Sequence, residues 1–523
     1  MPDLSLTWQY VEHWAERCPY REAIAFVGER RDYGWLRDQM DLVAKAFLEA
    51  GVEKGDRVGL LSMARPEFLT TYMAANKVGA MWFGLSPKFR LDELRFIIAD
   101  CKPTVLVAVR SYLDRDFGED LTALAREFSF LKKILVIGDP VEGTEAFEPY
   151  VMKPRPELDQ ALARRAAEIA PEDEALLMYT SGSTGKPKGV VHTHASILAN
   201  LAVQARAFGM GEGVRGLLHF PINHVAADVE IGYACVYAGG TCVMMERFDP
   251  AATLETVARE RVHVFGQVPA MFLMEFGVPT FSDTDWSHVT AFIWSGSAAP
   301  ALVVDVLTGI AEKVGANVLT GYGTTEMCGF VSYTNPGDSK ERLLHSAGKC
   351  APEFELRIVD DNREPIPAGE IGEIAVRGPF LMKGYYNRPD LTAEVMDAEG
   401  WYYSGDLASM DADGYIHIAG RKSEMFISGG ENVYPREIED IIESYPGVLM
   451  AAVVAAPDPT FQEVGHAYVM PYPGREIDAA ALATHCRERL ANFKVPKRFE
   501  VSSNLPMLPT GKIDKRALRD SNG

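Results

Sequence analysis

One segment of sixteen residues, 179–194, carries more recognisable chemistry than any other part of the chain. Its glycines let the backbone approach phosphate oxygens closely, and its hydroxyls and lysines can donate hydrogen bonds to those oxygens. The loop residues that suit an anion are Thr180, Ser181, Gly182, Ser183, Thr184, Gly185 and Lys188. The apolar run before them, residues 175–178, predicts a buried strand that leads into the loop. We therefore predict a site for an anionic, phosphate-bearing ligand.

This loop differs from the P-loop of nucleoside triphosphatases. The interval between Gly182 and Gly185 is too short, and Pro187 stands where a serine or threonine would hold magnesium. A flexible linker rich in serine and glycine would have neither the preceding strand nor two lysines flanking a proline. The pattern therefore favours an anion-binding loop and disfavours a P-loop kinase.

Four further motifs follow along the chain. They are YGTTE at 322–326, SGD at 404–406, GR at 420–421 with GGENVYP at 429–435, and PTGK at 509–512. Together with the first segment they resemble the acyl-adenylate-forming superfamily, which contains acyl- and aryl-CoA synthetases, firefly luciferase and the adenylation domains of peptide synthetases. The resemblance extends from about residue 36 to residue 518 and is highly specific.

The resemblance implies a two-step activation of a carboxylic acid. The carboxylate attacks the α-phosphate of ATP, which gives an acyl adenylate and pyrophosphate, and the thiol of coenzyme A then displaces AMP. Because the first step brings two anions together, catalysis must consist mainly of positioning and charge neutralisation. ATP, Mg²⁺ and CoA are therefore the implied cosubstrates and cofactor.

The resemblance assigns the nucleotide to the motif residues. Residues 180–188 would hold the β- and γ-phosphates, and Tyr322 would lie against the adenine. Further adenine contacts are expected from small residues: Ser297, Ala298, Ala299, Gly321 and Gly323. Asp406 would accept hydrogen bonds from the ribose hydroxyls, and Arg421 would donate to the same sugar.

Four residues are expected to act on the reacting atoms. Thr325 would contact the α-phosphate, and Glu326 would hold Mg²⁺, a hard cation that prefers carboxylate and phosphate oxygens. Lys512 would bridge the carboxylate, the α-phosphate and the ribose, because an ammonium offers three donors. His224 would lie beside the substrate carboxylate. The residues alone favour a solvated lysine at 512 and leave a core histidine at 224 open.

The acyl group is expected in a pocket built from three segments of the chain. The substrate-binding candidates there are His224, Val225, Ala227, Gln267 and Trp294. The small Ala227 indicates room in this pocket, whereas Asp228 and Glu230 are predicted on the surface of a helix. Gly430, in a glycine hairpin, is expected to line the channel for the thiol.

Composition excludes several classes of partner. The 523 residues carry a formal charge of −21, which argues against nucleic acid or an anionic membrane as partner. The most apolar segment, residues 231–245, contains Gly239-Gly240 and is too short to span a bilayer, so it predicts two strands or a helix–strand join. Seven cysteines without a C-x-x-C pair, and no signal peptide, favour a cytoplasmic enzyme with reduced thiols.

The chain is too long for a single core and is predicted to form two domains. Alternating strands and helices predict an α/β fold, with a large multilayer N-terminal domain of mainly parallel sheets over residues 1–421. Residues 422–523 are expected to form a small, mobile α+β domain that carries the lysine. The pivot of this domain, where the superfamily usually has aspartate or lysine, falls here on Ser423.

Local patterns predict individual elements. Predicted strands are 57–61, 80–85, 104–109, 133–137, 450–456 and 466–472, and predicted helices are 66–79, 91–100, 435–443 and 479–491. The charged stretch 139–174 is expected to be a surface excursion with one helix.

The choice among members of the superfamily stays open at the level of the acid. Asn223 and His224 stand where amino-acid-activating domains place an aspartate, and no carrier domain follows Gly523, so an acyl-CoA synthetase is expected. Fatty, alicyclic and aryl acids, and a ligase that loads a carrier protein, are alternatives, as is a nucleotide sensor without turnover. A homodimer is also an open alternative.

Overall fold

The computed structural model describes residues 1–181, 187–507 and 513–521. The α-helices span Gln9–Arg17, Tyr33–Glu49, Pro66–Lys77, Leu91–Cys101, Gly118–Glu127, Phe147–Val151, Asp159–Ala167, His194–Ala207, Ala234–Ala238, Pro250–Arg259, Pro269–Phe276, Ala301–Val314, Lys340–His345, Pro389–Val395, Pro435–Glu443, Ala479–Arg489 and Lys515–Asp520. Short 3-10 helices span Pro156–Leu158, Phe281–Asp283 and Thr325–Met327, and a π-helix spans Ala226–Tyr233. Helices and strands alternate through the first half, as the sequence predicts.

The first sheet has a parallel centre and antiparallel edges. In order across the sheet, its strands are Lys349–Cys350, Gly329–Tyr333, Asn317–Thr324, Ala291–Trp294, Val264–Gln267, Arg215–Leu218, Thr241–Met244, Glu22–Phe26 and Glu29–Asp32. The strands from Asn317–Thr324 to Glu22–Phe26 run parallel. Their carboxyl ends therefore meet at one edge, which is where α/β proteins bind ligands.

The second sheet repeats this plan. Its strands, in order, are Gly384–Tyr385, Pro187–Thr193, Glu174–Ser181, Met81–Leu85, Arg57–Leu61, Val105–Val109, Lys133–Ile137 and Glu145–Ala146. The strand Pro187–Thr193 pairs antiparallel with both of its neighbours, so the predicted phosphate loop connects two strands of this sheet. The two sheets share one large hydrophobic core, which includes Tyr72, Trp82 and Tyr233.

Two antiparallel sheets follow. The third consists of Glu355–Val359, Gly372–Arg377, Tyr402–Met410 and Ile416–Arg421, and the C-terminal sheet of Glu431–Val433, Phe426–Ser428, Gln462–Pro471 and Val448–Asp458, with Arg498–Val501 beside Gln462–Pro471. A small hairpin pairs Ser111–Tyr112 with Arg115–Asp116. The C-terminal sheet forms a separate core with helices Pro435–Glu443 and Ala479–Arg489, and this core includes Ile438, Val453 and Leu482. The predicted α/β class, with a large N-terminal and a small C-terminal domain, is confirmed, and the boundary at 421/422 stays a prediction.

Most predicted elements are present, and the differences have local causes. Residues 139–174 contain two α-helices rather than one, because Pro154 and Pro156 interrupt the helical pattern between them. The apolar segment 231–245 is a helix–strand join, since Gly239, with φ +67°, ends the helix in the left-handed region. Within the described part of the chain, no helix is long and apolar enough to cross a membrane.

Candidate functional site

Two antiparallel strands, Glu174–Ser181 and Pro187–Thr193, flank the predicted phosphate loop in sequence, and Thr180 on one strand pairs with Lys188 on the other. The hydroxyl of Thr180 is buried and has no hydrogen-bond partner among the residues that the structure describes. Four loop candidates, Gly182, Ser183, Thr184 and Gly185, lie outside those residues, as does Lys512.

Lys188, Tyr385 and Glu326 form a polar cluster. The Lys188 ammonium donates to the Tyr385 hydroxyl at 2.6 Å, and that hydroxyl donates to Glu326 Oε1 at 2.9 Å. The ammonium itself is 3.9 Å from the same carboxylate oxygen. Burial lowers the pKa of Lys188, and the nearby Glu326 partly opposes this effect. A cation and a carboxylate from distant motifs are thus held together by a tyrosine that the motifs do not contain.

Thr325 is positioned by a buried histidine. It begins the short helix Thr325–Met327, and its carbonyl oxygen is 2.7 Å from His192 Nε2. Burial lowers the pKa of His192 to about 4, so the ring is neutral at physiological pH. Because a carbonyl only accepts, Nε2 carries the proton and donates it. His192 therefore joins the end of the signature strand to the backbone of the predicted α-phosphate residue.

Tyr322, Asp406 and Arg421 form a second group. The Tyr322 hydroxyl donates to Asp406 Oδ2 at 2.7 Å, and Arg421 Nε is 2.9 Å from Asp406 Oδ1. Asp406 and Arg421 face each other across neighbouring strands of the third sheet. The pKa of Arg421 is raised, chiefly by Asp406 and to a lesser degree by Tyr322 and Glu326. The predicted adenine and ribose residues are therefore neighbours, and Glu326 lies within electrostatic range of them.

The small residues around Tyr322 have structural as well as binding explanations. A Cβ on Gly321 would lie 2.1 Å from the carbonyl oxygen of Ser332, and one on Gly323 would lie 1.9 Å from that of Gly329. The adjacent strand therefore requires both glycines, whether or not a ligand approaches them.

Ser297, Ala298 and Ala299 lie in the loop after strand Ala291–Trp294, which is paired with the strand of Tyr322. This loop is at the carboxyl end of the parallel strands, as expected for a ligand contact.

The acyl-pocket candidates fall into two groups. His224 is half-buried, and its carbonyl oxygen accepts from the amides of Ala227 and Asp228 at the start of the π-helix. Val225 and Ala227 are buried in the core shared by the two sheets.

Asp228 is fully buried, so the prediction that it lies on a helix surface is wrong. The π-helix turns its side chain inward toward Tyr72, and burial raises the pKa of Asp228 well above its usual value. Glu230 is half-buried and not on an open surface either.

Gln267 and Trp294 lie on the other face of the first sheet. Both are buried, and Trp294 belongs to the core that this face forms with its own helices. Gln267 Nε2 donates a hydrogen bond at 2.8 Å to Oε2 of Glu275, which belongs to helix Pro269–Phe276. The preceding residue, Gly266, is the one that faces Ile231 of the π-helix. The structure thus does not bring the side chains of Gln267 and Trp294 together with that of Ala227.

Gly430 lies in a tight hairpin. Strands Phe426–Ser428 and Glu431–Val433 are antiparallel, and Gly429 and Gly430 connect them with φ of +62° and +91°. Two consecutive left-handed residues are typical of a type I′ turn, which other residue types form less readily. The predicted glycine hairpin is therefore present, and its role in a thiol channel stays a prediction.

Two family models match separate parts of the chain. The model of the AMP-binding enzyme family matches residues 11–386, and that of the AMP-binding enzyme C-terminal domain matches residues 437–512. The chain belongs to the AMP-binding enzyme family. It is an AMP-forming acid–thiol ligase, which uses ATP and CoA.

Relatives of this ligase cover its full length. A feruloyl-CoA synthase from Amycolatopsis sp. is 35% identical over 505 residues, which are 97% of this chain and 96% of that protein. The crystal structure of the anthranilate CoA ligase AuaEII with anthranoyl-AMP has a TM-score of 0.88 at 26% identity, over 100% of this chain and 98% of that one. The structure of the amide bond synthetase McbA from Marinactinospora thermotolerans has a TM-score of 0.86 at 27% identity. The match covers 99% of this chain and 100% of that one.

Two residues of the ligase site escaped the sequence motifs. Tyr385 lies in a short edge strand with no recognisable pattern, 197 residues after its partner Lys188. His192 is part of the first segment, but nothing in its spacing indicates a bond to Thr325, 133 residues away. The adjacent histidine in the same string, His194, contacts Thr7 instead. Only the packing of the sheets in the folded protein distinguishes the role of His192 from that of His194.

Proposed function

We propose that this ligase activates a hydrophobic or aromatic carboxylic acid as its acyl adenylate and passes the acyl group to CoA. One observation carries the proposal: Lys188, Glu326, Tyr322, Asp406 and Arg421, from four separate motifs, converge on one place. This set offers cations for phosphates, an aromatic ring for a base and a carboxylate for a ribose. The names of the feruloyl-CoA synthase and the anthranilate CoA ligase support an aromatic acid.

The nucleotide would be held by both polar groups. Asp406 accepts from Tyr322 and Arg421 in this structure, and it would accept from the ribose hydroxyls of bound ATP. Lys188, with Thr180 opposite it, would neutralise the phosphates. Thr325 would donate its hydroxyl to the α-phosphate, because His192 holds its backbone in place.

Glu326 is the residue that would hold Mg²⁺. Its buried carboxylate beside the Lys188 ammonium fits an ion that binds proteins through one or two carboxylates and takes its remaining ligands from phosphates and water. Among the described residues, no group of three or more potential metal ligands occurs. Mg²⁺ would supply charge neutralisation at the phosphates.

We expect excess EDTA to abolish pyrophosphate release and GTP to be a poor substitute for ATP. Full activity in EDTA would contradict the assignment.

The second step would use the C-terminal domain in another orientation. Lys512 and the CoA thiol must approach the same carbonyl carbon, and they cannot occupy that space together. We propose that rotation near Ser423 removes Lys512 and brings the Gly429–Gly430 hairpin inward. The isolated core of the C-terminal sheet supports movement of this part as a unit.

A panel of acids tests the proposed function. Fatty, alicyclic, cinnamic, benzoic and arylacetic acids would each be incubated with ATP and Mg²⁺, with and without CoA, while pyrophosphate and AMP are measured. We expect pyrophosphate release to depend on the acid and sustained AMP formation to depend on CoA. Pyrophosphate release without any response to CoA would favour another acceptor, such as a carrier protein or an amine. No release with any acid would refute the proposal.

A further inference from the structure

Three separate segments of the chain meet at the carboxylate of Asp100. The Tyr179 hydroxyl donates to Asp100 Oδ2 at 2.7 Å, and Arg388 Nη2 donates to Asp100 Oδ1 at 2.8 Å. Only 12% of the Asp100 side chain is exposed. Its two partners are 79 and 288 residues away in sequence. One nearly buried carboxylate therefore joins helix Leu91–Cys101 to two distant segments.

The position of Asp100 is unfavourable for its own helix. Asp100 is the penultimate residue of Leu91–Cys101, and the last turn of this helix contains no basic residue. The carboxyl end of a helix carries partial negative charge, which repels a carboxylate unless a cation or a donor compensates. Arg388 and Tyr179 supply that compensation from outside the helix. The carboxylate is therefore explained by the segments that it joins and not by helix stability.

Tyr179, the first partner of Asp100, lies beside Lys188. Tyr179 is paired with Gly189 across the two antiparallel strands, and Lys188 directly precedes Gly189. A Cβ on Gly189 would lie 3.3 Å from Tyr179 Cζ and 3.2 Å from the Cβ of Tyr386, so the two tyrosines flank this glycine. Asp100 thus fixes a ring that packs against the backbone next to Lys188.

Arg388, the second partner, follows the tyrosine that contacts Lys188. The Tyr385 hydroxyl accepts from the Lys188 ammonium at 2.6 Å, and the amide of Arg388 donates to the carbonyl of Tyr385 at 3.0 Å. Asn387 lies in this turn with φ +52°, in the left-handed region that asparagine reaches more easily than most residues. The ion pair with Asp100 therefore anchors the turn directly after Tyr385.

The order of the second sheet gives these two contacts a common effect. Strand Pro187–Thr193, which carries Lys188, lies between Glu174–Ser181 and Gly384–Tyr385. Asp100 contacts Tyr179 on one flanking strand and Arg388 just after the other. It therefore clamps both neighbours of the Lys188 strand from one point.

We propose that Asp100 is a positioning residue for the β- and γ-phosphates of ATP, because it fixes the two segments between which Lys188 is held. This inference rests on the proposed function, which assigns Lys188 to the phosphates. Asp100 acts only through its two partners, since a carboxylate would repel the phosphates themselves. Burial raises the pKa of Tyr179, and Cys101 and Asp100 add to this effect, so the phenol stays protonated and remains a donor.

Affinities for ATP and AMP test this role. AMP has the adenosine and the α-phosphate of ATP but lacks the β- and γ-phosphates, so the ratio of the two dissociation constants isolates the terminal phosphates. In calorimetric titrations with Mg²⁺, we expect Asp100→Ala to weaken ATP binding by about tenfold or more, with AMP binding close to that of the wild type. Asp100→Asn, which keeps one acceptor but loses the ion pair, should change the ratio less and in the same direction. The exposed Asp92→Ala, from the same helix, is the matched control.

The two half-reactions give a second readout that a merely structural role would not separate. Asp100→Ala should raise KM for ATP in pyrophosphate release, whereas conversion of supplied acyl adenylate and CoA to acyl-CoA should stay near the wild-type rate, because that step involves no β- or γ-phosphate. Tyr179→Phe should reproduce part of the loss and add little to Asp100→Ala, since both changes remove the same bond.

Thermal unfolding shows which variants are folded, and Asp100→Asn and Tyr179→Phe carry the test where Asp100→Ala is not. An unchanged ratio of ATP to AMP affinity in the folded variants, equal weakening of both nucleotides, or equal losses in both half-reactions would overturn the inference. The proposed function fails separately, only if no acid in the panel gives pyrophosphate release with the wild type.

Discussion

Asp406 shows how much of the site depends on single contacts. Its two carboxylate oxygens accept from Tyr322 and Arg421, so one residue links the predicted adenine and ribose contacts. Charge-assisted bonds of this kind are stronger than neutral ones and are costly to lose when buried. Asp406 is nearly buried, and its partners come from positions 84 and 15 residues away in sequence.

We predict that Asp406→Asn raises KM for ATP by about 10- to 100-fold, the range expected when a hydrogen bond to a charged group is lost. The amide keeps one acceptor for Tyr322 but loses the ion pair to Arg421 and one acceptor for the ribose. Initial rates of pyrophosphate release at varied ATP provide the measurement. The exposed Asp305→Asn is the control. An unchanged KM for ATP would show that Asp406 only supports the sheet.

Lys512 is the subject of a second prediction at the scale of single residues. Lys512→Ala should slow acyl-adenylate formation by about 10²–10³-fold, the scale of one lost charge contact in a transition state. Conversion of supplied acyl adenylate and CoA to acyl-CoA should be nearly unaffected, because the lysine has no task in thiol attack. The exposed Arg516→Ala is a control from the same region. Equal losses in both half-reactions would refute the assigned role.

At the scale of elements, helix Pro269–Phe276 is tied to strand Val264–Gln267 by a buried polar bond. Glu275 is fully buried, and Gln267 Nε2 donates to its Oε2 at 2.8 Å. Burial raises the pKa of Glu275 from 4.5 to about 8, which the bond from Gln267 only partly offsets. The folded state therefore binds a proton that the unfolded state releases between those pH values.

This difference predicts a pH-dependent effect of Glu275→Gln. Since the folded state binds more protons, Glu275 lowers the stability of the wild type as pH rises from 4.5 towards 8. At about 1.4 kcal/mol per pKa unit, the full shift corresponds to roughly 5 kcal/mol. The variant should therefore gain unfolding free energy over the wild type at pH 8 and little at pH 5, as measured by urea denaturation. A gain that does not vary with pH would contradict the buried neutral acid.

At the scale of the whole molecule, the predicted link between the two domains is short. Residues 422–424 form a turn in which the amides of Glu424 and Met425 donate to the carbonyl of Arg421. Lys422 is paired with Asp361 at 2.8 Å, so the segment is held on its N-terminal side. Ser423 is exposed between these anchored residues and is the position where rotation of the C-terminal domain is proposed.

We predict that Ser423→Pro separates the two half-reactions. Proline fixes φ near about −65° and restricts the preceding residue, so the hinge would be confined to one orientation. The variant should release a single burst of pyrophosphate and accumulate acyl adenylate, with little acyl-CoA, in rapid-quench measurements. Ser423→Ala, which keeps the backbone free, should behave like the wild type. Normal acyl-CoA production by Ser423→Pro would place the pivot elsewhere or rule out a large rotation.

The sequence by itself determined the family, the fold class and most strands and helices of the two domains. Strand Lys133–Ile137 and helix Pro435–Glu443 have the predicted bounds, because periodicity and proline position act through local backbone preferences. The motif residues Tyr322, Asp406 and Arg421 could be named because the short strings that contain them resemble those of the superfamily.

Tertiary structure alone decided which side chains meet. Tyr385 joins Lys188 to Glu326, and His192 holds Thr325, through contacts between residues 59 to 197 positions apart. The inward side chain of Asp228 depends on a π-helix, whose wider turn shifts residues off the face that a period of 3.6 predicts. Periodicity tells which face of an element is apolar, but only the packing of whole sheets brings distant polar groups within hydrogen-bond distance.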